Sequence, residues 1–141
     1  MRRALLIGIN YIGTSDKLLG CINDVIIMKE VLKDKFNIED KNILTLTDNT
    51  TYKPNKENIL NAFDWLLSEE NSKAFDGKKK YKISDNPLLL FFQYSGHGSS
   101  TRDKNDDEED GSDETLVPLD YKKKGMIVDD VIRSSFINKI N

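Results

Sequence analysis

Ala4-Leu5-Leu6-Ile7-Gly8-Ile9 is a nearly continuous apolar run, ended by Asn10. A strand with one face in solvent alternates apolar and polar residues, whereas an unbroken run marks a strand covered on both faces, as in a parallel sheet. Two further runs have strand character. Asn42-Ile43-Leu44-Thr45-Leu46-Thr47 is rich in β-formers, and Leu88-Leu89-Leu90-Phe91-Phe92-Gln93-Tyr94, opened by Pro87, is the most hydrophobic stretch of the chain. Ile22, Val25, Ile26, Met28, Val31, Leu32 and Phe36 fall at helical spacings between the first two runs, with Asn23 or Asp24 available as cap. Ile59, Ala62, Phe63 and Leu66 do the same after Pro54-Asn55. The order β-α-β-α-β predicts parallel strands joined by right-handed crossovers, with helices on both faces of the sheet.

The rest of the chain reads less regularly. Residues 68–86 are polar and predict a surface loop, residues 95–114 lack periodicity and carry an acidic cluster, and Leu116-Val117-Pro118-Leu119 is a short extended piece. Val131, Ile132, Phe136, Ile137 and Ile140 predict a last helix that starts near Asp129 or Asp130.

Composition narrows the function. The 141 residues fit one domain. Lys and Arg number 21 against 24 Asp and Glu, net −3, which argues against a nucleic-acid binder. The single cysteine, Cys21, excludes an internal disulfide framework, and the single histidine, His97, excludes a multi-histidine metal site. The apolar run after Met1-Arg2-Arg3 is too short for a secretory leader, and no run has the length of a membrane span. A cytoplasmic monomer without nucleic-acid or membrane partners is the expectation.

Chemistry in an open parallel sheet gathers beyond the carboxyl ends of the strands. Ser95-Gly96-His97-Gly98 follows the third strand directly. A histidine there, between glycines that permit a sharp turn, can serve as a general acid or base near neutral pH; it can equally be a loop histidine with a satisfied hydrogen bond. Ser95 is a poor candidate nucleophile, because Gln93-Tyr94-Ser95-Gly96-His97 lacks the first glycine of a nucleophile elbow. Cys21 and Asp24 open the first helix on the same edge and read either as a pocket wall or as a small thiol and a helix cap. The acidic run from Asp103 to Glu114 suits a hard cation such as calcium or forms a solvated loop, but its spacing fails as an EF-hand. Starting at Asp103 puts Glu108 where glycine is required; starting at Asp106 puts Val117 in place of the closing glutamate.

Together these segments resemble the metacaspases, the caspase-like cysteine peptidases of protists, fungi and plants. The resemblance covers nearly the whole chain. It rests on Arg3 to Tyr11, on Leu19-Gly20-Cys21-Ile22-Asn23-Asp24 and on Phe92-Gln93-Tyr94-Ser95-Gly96-His97-Gly98. Asp110-Gly111-Ser112-Asp113-Glu114, Pro118-Leu119-Asp120 and Ile127-Val128-Asp129-Asp130 complete the order. The resemblance implies a caspase-like three-layer α/β/α fold with a mainly parallel sheet, here truncated after the third main strand. Residues 1–141 would be a partial peptidase domain lacking the segment with the nucleophilic cysteine. It also implies a calcium-activated cysteine endopeptidase acting on proteins or peptides after Arg or Lys. His97 matches the catalytic histidine, Cys21, Asp24 and Ser95 match positions lining the pocket for the basic side chain, and Asp113, Asp129 and Asp130 match calcium-binding positions. No cysteine follows His97 in this sequence, so the chain alone is expected to be inactive. The alternative is a non-catalytic caspase-like module that binds calcium or a partner. A phosphate-binding α/β domain is disfavoured, because Gly8-Ile9-Asn10 leads into no glycine-rich turn at the required spacing.

Overall fold

The structure, a computed structural model, describes residues 2–69, 74–77, 81–84, 89–102 and 112–140. Its main sheet has β1 (Arg2–Gly8) at the centre, β2 (Ile43–Thr47) on one side and β3 (Leu89–Ser95) on the other, both parallel to β1. Helix α1 (Cys21–Phe36) links β1 to β2, and α2 (Lys56–Leu66) follows β2. The predicted α/β alternation is observed, with strand and helix bounds close to those read from the sequence.

The unbroken apolar run of β1 serves two cores. Ala4 and Leu6 pack with Val25 and Leu32 of α1 and with Ile38 and Ile43. Leu5, Ile7 and Ile9 point the other way, into a larger cluster with Leu46 and with Ile59, Ala62, Phe63 and Leu66 of α2. Successive strand residues face opposite sides, so a strand apolar at every position carries a helix on each face. The strand β3 repeats the division, with Leu89 and Phe91 on the α1 side and Leu90, Phe92 and Tyr94 on the α2 side. Arg3 is buried at the start of β1. Its guanidinium donates to the Trp65 carbonyl oxygen at 2.7 Å, lies 4.5 Å from the Trp65 ring centroid and bonds the Ser68 hydroxyl, which ties β1 to the end of α2.

Helix ends follow local chemistry. Asn37 closes α1 in the left-handed region (φ 53), with its N–H on the Leu32 carbonyl oxygen. Asn55 caps α2, its side chain accepting from the Asn58 N–H at 2.8 Å. The last helix begins at the expected place, with α3 (Tyr121–Lys124) before it. α4 (Asp129–Ile132) passes through a π-helical turn (Arg133–Ile137) into α5 (Asn138–Ile140), and Phe136 stacks on Phe63 with centroids 5.4 Å apart.

The stretch 95–114, aperiodic in sequence, holds two strands among its described residues: β4 (Gly98–Arg102) and β5 (Ser112–Leu116) pair antiparallel, and β6 (Ile127–Val128) joins β5 to complete a second sheet. One reading needs correction. The stretch 68–86 is not wholly a surface loop, since Phe75 is buried edge-on to Tyr52 and Ser68 bridges to Ile83. The acidic run 103–110 lies outside the described residues.

Gly8 has a steric reason. A Cβ there would lie 2.4 Å from the Cys21 carbonyl oxygen and 2.6 Å from Val25 Cγ2, so α1 rests directly on the strand. Gly8→Val should destabilise the chain by about 1–3 kcal/mol, the usual cost of overpacking. Urea unfolding followed by Trp65 fluorescence would read this as a lower midpoint, and an unchanged midpoint would contradict the close approach.

Candidate active site at the carboxyl edge of the sheet

The edge is assembled by strand register. Gly8 pairs with Ser95, and the Ile9 N–H donates to the Ser95 carbonyl oxygen at 2.9 Å. The loops after β1 and β3 therefore leave the sheet side by side. Asp48, just after β2, anchors the first of them: its two carboxylate oxygens accept from the Asn10 N–H at 2.8 Å and the Ile12 N–H at 3.0 Å. The loop continues through Tyr11, a non-glycine residue at φ 51, to Asp16.

His97 meets this loop. Its Nε2 lies 2.6 Å from the Asp16 carbonyl oxygen. A carbonyl oxygen only accepts, so Nε2 carries the hydrogen and Nδ1 of the neutral ring is left with its lone pair. The Tyr11 ring leans on the imidazole, with centroids 4.7 Å apart. Asp16 is itself held, because its carboxylate accepts from the Tyr121 hydroxyl at 2.6 Å. That bond also raises the phenol pKa of Tyr121. A cleft of about 190 Å³ opens here, lined by His97, Asp16, Ser99, Tyr121 and Met126 among others. A larger cavity, about 570 Å³, lies at the start of α2 beside Asp120 and Lys124, and neither His97 nor Cys21 lines it.

Cys21 and Ser95 come together at Gly8. Ser95 is its register partner, and the Cys21 backbone is its contact across the helix–sheet interface. The Gln93 amide donates to Ser95 Oγ at 3.2 Å. The start of α1 is capped from a distance: Asn10 Oδ1 accepts from the N–H groups of Cys21 at 2.9 Å and Ile22 at 3.2 Å. The N-cap residue is Gly20, without a side-chain bond of its own. The reading of Asn23 or Asp24 as cap is thus corrected. Asp24 sits one turn in and is exposed, its own N–H satisfied by the Gly20 carbonyl oxygen.

The thiol of Cys21 is a poor nucleophile at neutral pH. Burial pushes its pKa up, and the Asp24 and Asp48 carboxylates push it further. The thiolate is the reactive form. The charges that suppress an anion here favour a cation beside it.

The register of the second sheet brings the backbones of Asp113, Asp129 and Asp130 towards one end of β5. Asp113 is on β5 opposite Thr101, and Thr115 of β5 pairs with Val128, so the antiparallel run carries Asp129 and Asp130 towards the Asp113 end. Asp129 forms an ion pair with Arg133 at 3.6 Å, both partly exposed. Carboxylates are the hard oxygen donors that calcium takes, so the residue types at these three positions suit the ion. Among the described residues no three such side chains already form a cluster ready to hold a metal.

Sequence reading missed Asn10, Tyr11, Asp16, Asp48 and Tyr121. Asn10 and Tyr11 directly follow the first apolar run, but their partners are distant in sequence.

A family model described as a metacaspase, peptidase C14 domain matches residues 2–141. Metacaspase-1 of Schizosaccharomyces pombe is 37% identical over 142 residues, covering 99% of this chain and 30% of that protein. Metacaspase-1 of Botryotinia fuckeliana is 44% identical over 132 residues, 92% of this chain and 28% of its own length. Metacaspase-1 of Plasmodium falciparum is 39% identical over 145 residues, 99% of this chain and 21% of its own length. The chain thus spans less than a third of each of these relatives. A crystal structure of a Geobacter sulfurreducens protein shares the fold at 23% identity, with a TM-score of 0.59 over 94% of this chain and 43% of that one.

The carboxylates around Cys21 make a direct prediction. Asp24→Asn removes one of the charges that raise the thiol pKa, so alkylation by iodoacetamide at pH 8 should speed up by about twofold, as expected for a partly solvated charge. An unchanged rate would show that Asp24 does not act on the thiol.

Proposed function

The chain belongs to the metacaspase peptidase C14 family, and from that premise we propose that it forms the histidine-bearing part of a calcium-activated cysteine endopeptidase that cuts after Arg or Lys. The observation that carries the reading is the fixed imidazole. With Nε2–H tied to the Asp16 carbonyl oxygen, Nδ1 is the nitrogen free to accept a proton. In the complete enzyme His97 would take the proton of a cysteine thiol through Nδ1. The resulting thiolate attacks the peptide carbonyl, and the imidazolium returns its proton to the leaving amine. Water then cleaves the acyl-enzyme. Cys21 is not that nucleophile, because burial and two carboxylates keep it protonated. Its place is in the pocket wall with Ser95 and Asp24.

Preference for a basic side chain rests on charge. Asp24 and Asp48 both act on the thiol position at the start of α1, and carboxylates in a pocket attract a guanidinium or ammonium group and repel an acidic one. Calcium would be held by Asp113, Asp129 and Asp130, supplying positive charge that relieves their repulsion. Among the described residues no helix is long and apolar enough to cross a membrane, and a cytoplasmic monomer acting on protein substrates is the proposed setting.

Two results test this. The 141-residue chain alone should not turn over Arg or Lys peptides with millimolar-scale calcium, whereas the domain extended with the segment its relatives carry should. Asp24→Ala in that extended domain should lower kcat/KM for Arg and Lys peptides while costing no more than about 1 kcal/mol of stability, the worth of a carboxylate in the first turn of a helix. A cleavage profile dominated by aspartate would overturn the assignment, and calcium binding without turnover would favour the non-catalytic module. Titration calorimetry checks the metal separately: the Asp129→Ala, Asp130→Ala double variant should lose calcium binding, and equal affinity would reject these positions.

A further inference from the structure

The second sheet stops one pair short of His97, and the way it stops is informative. The register of β4 and β5 pairs Ser99 with Thr115 and Gly98 with Leu116, so the next pair would be His97 opposite Val117. A hydrogen-bonded pair of an antiparallel ladder exchanges two direct N–H···O=C bonds. Here a tyrosine hydroxyl stands in each. The His97 N–H donates to Tyr11 Oη at 3.0 Å, and Tyr11 Oη donates to the Val117 carbonyl oxygen at 2.7 Å. In the opposite sense, the Val117 N–H donates to Tyr94 Oη at 3.2 Å, and Tyr94 Oη donates to the His97 carbonyl oxygen at 2.7 Å. Each hydroxyl has one proton and accepts one amide; Tyr94 Oη, 2.7 Å from the His97 carbonyl oxygen and 3.4 Å from that of Val117, gives its proton to the nearer, and the two hydroxyl oxygens lie 3.2 Å apart.

We propose that Tyr11 and Tyr94 are positioning residues that hold the His97 backbone at a fixed spacing from Val117, so that the imidazole reaches the Asp16 carbonyl oxygen. The proposal rests on the reading of His97 as the proton-transfer group. A direct ladder pair would draw His97 in against Val117; two inserted hydroxyls keep it out while leaving no main-chain group of either residue unbonded. Gly96 belongs to the device, since a Cβ there would lie 2.7 Å from Tyr94 Oη and 3.1 Å from Tyr11 Oη. The turn must be bare for the Tyr94 ring to fold back beneath it. Burial raises the pKa of both phenols, that of Tyr11 well above the ordinary tyrosine range, so both remain donors throughout the range in which a histidine titrates.

The crosswise pattern gives a test that general loosening does not reproduce. In the wild-type chain the His97 and Val117 amides should both resist hydrogen exchange, although each donates to a side-chain hydroxyl. Tyr11→Phe should speed exchange at His97 by about tenfold and spare Val117 relative to it, and Tyr94→Phe should do the reverse, with Trp65 fluorescence confirming that both variants fold. Equal acceleration at both amides, or none at either, overturns the proposal. Should a variant not fold, the wild-type spectrum decides. Hydroxyl-proton signals of Tyr11 and Tyr94 with nuclear Overhauser contacts to the two amides support the bridge; amides exchanging at free-peptide rates overturn it. In the extended domain each Phe variant should lower kcat by up to about a hundredfold with KM unchanged. If His97→Ala kept its turnover there, the catalytic reading would fall while the exchange pattern stood.

Discussion

The parallel pairing of β1 with β3, Gly8 opposite Ser95, is the constraint on which the rest of the edge depends. It exists because β1 is apolar at every position from Ala4 to Ile7 and can therefore be covered by α1 on one face and α2 on the other. A one-residue slip would move every side chain of β1 to the wrong face, so the two cores lock the register. The locked register delivers the loop after β1 to the turn after β3. Everything chemical at the site follows from that meeting: the Asp16 carbonyl oxygen against His97, the Tyr11 ring on the imidazole, and the Cys21 backbone against Gly8.

Electrostatics divides the edge into two regions. Beside α1, Asp24 and Asp48 make the surroundings of Cys21 hostile to a thiolate and hospitable to a cation. Beside β4, His97 faces a main-chain carbonyl oxygen rather than a carboxylate. A carbonyl fixes the tautomer and the ring orientation without placing a full negative charge beside the ring.

What the sequence disclosed and what it hid divide along the same physical line. Strands β1 to β3 and helices α1 and α2 were legible because apolar periodicity is a property of contiguous residues, and His97 was legible because glycines bracket the end of the most apolar strand. The strand β4 was not, since Gly98-Ser99-Ser100-Thr101-Arg102 has no apolar alternation and is defined by its ladder to β5. Asn10 caps a helix that begins 11 residues later, so it could not be told from a residue that merely ends a strand. Asp16 and Tyr121 are 105 residues apart. Asp48 reads as a turn residue after β2, and nothing local reveals that its carboxylate holds the loop after β1.

The central claim is that the fold fixes the tautomer of the His97 ring, with the hydrogen of the neutral form on Nε2 against the Asp16 carbonyl oxygen. As the only histidine in the chain, it gives a single set of imidazole signals. Two-dimensional ¹⁵N–¹H correlation of the ring, followed through the pH range where the imidazole loses its charge, measures the tautomer directly. The account predicts that the neutral ring is the Nε2–H form, with Nδ1 unprotonated. A neutral ring protonated on Nδ1, or one averaging freely between the two forms, would contradict it.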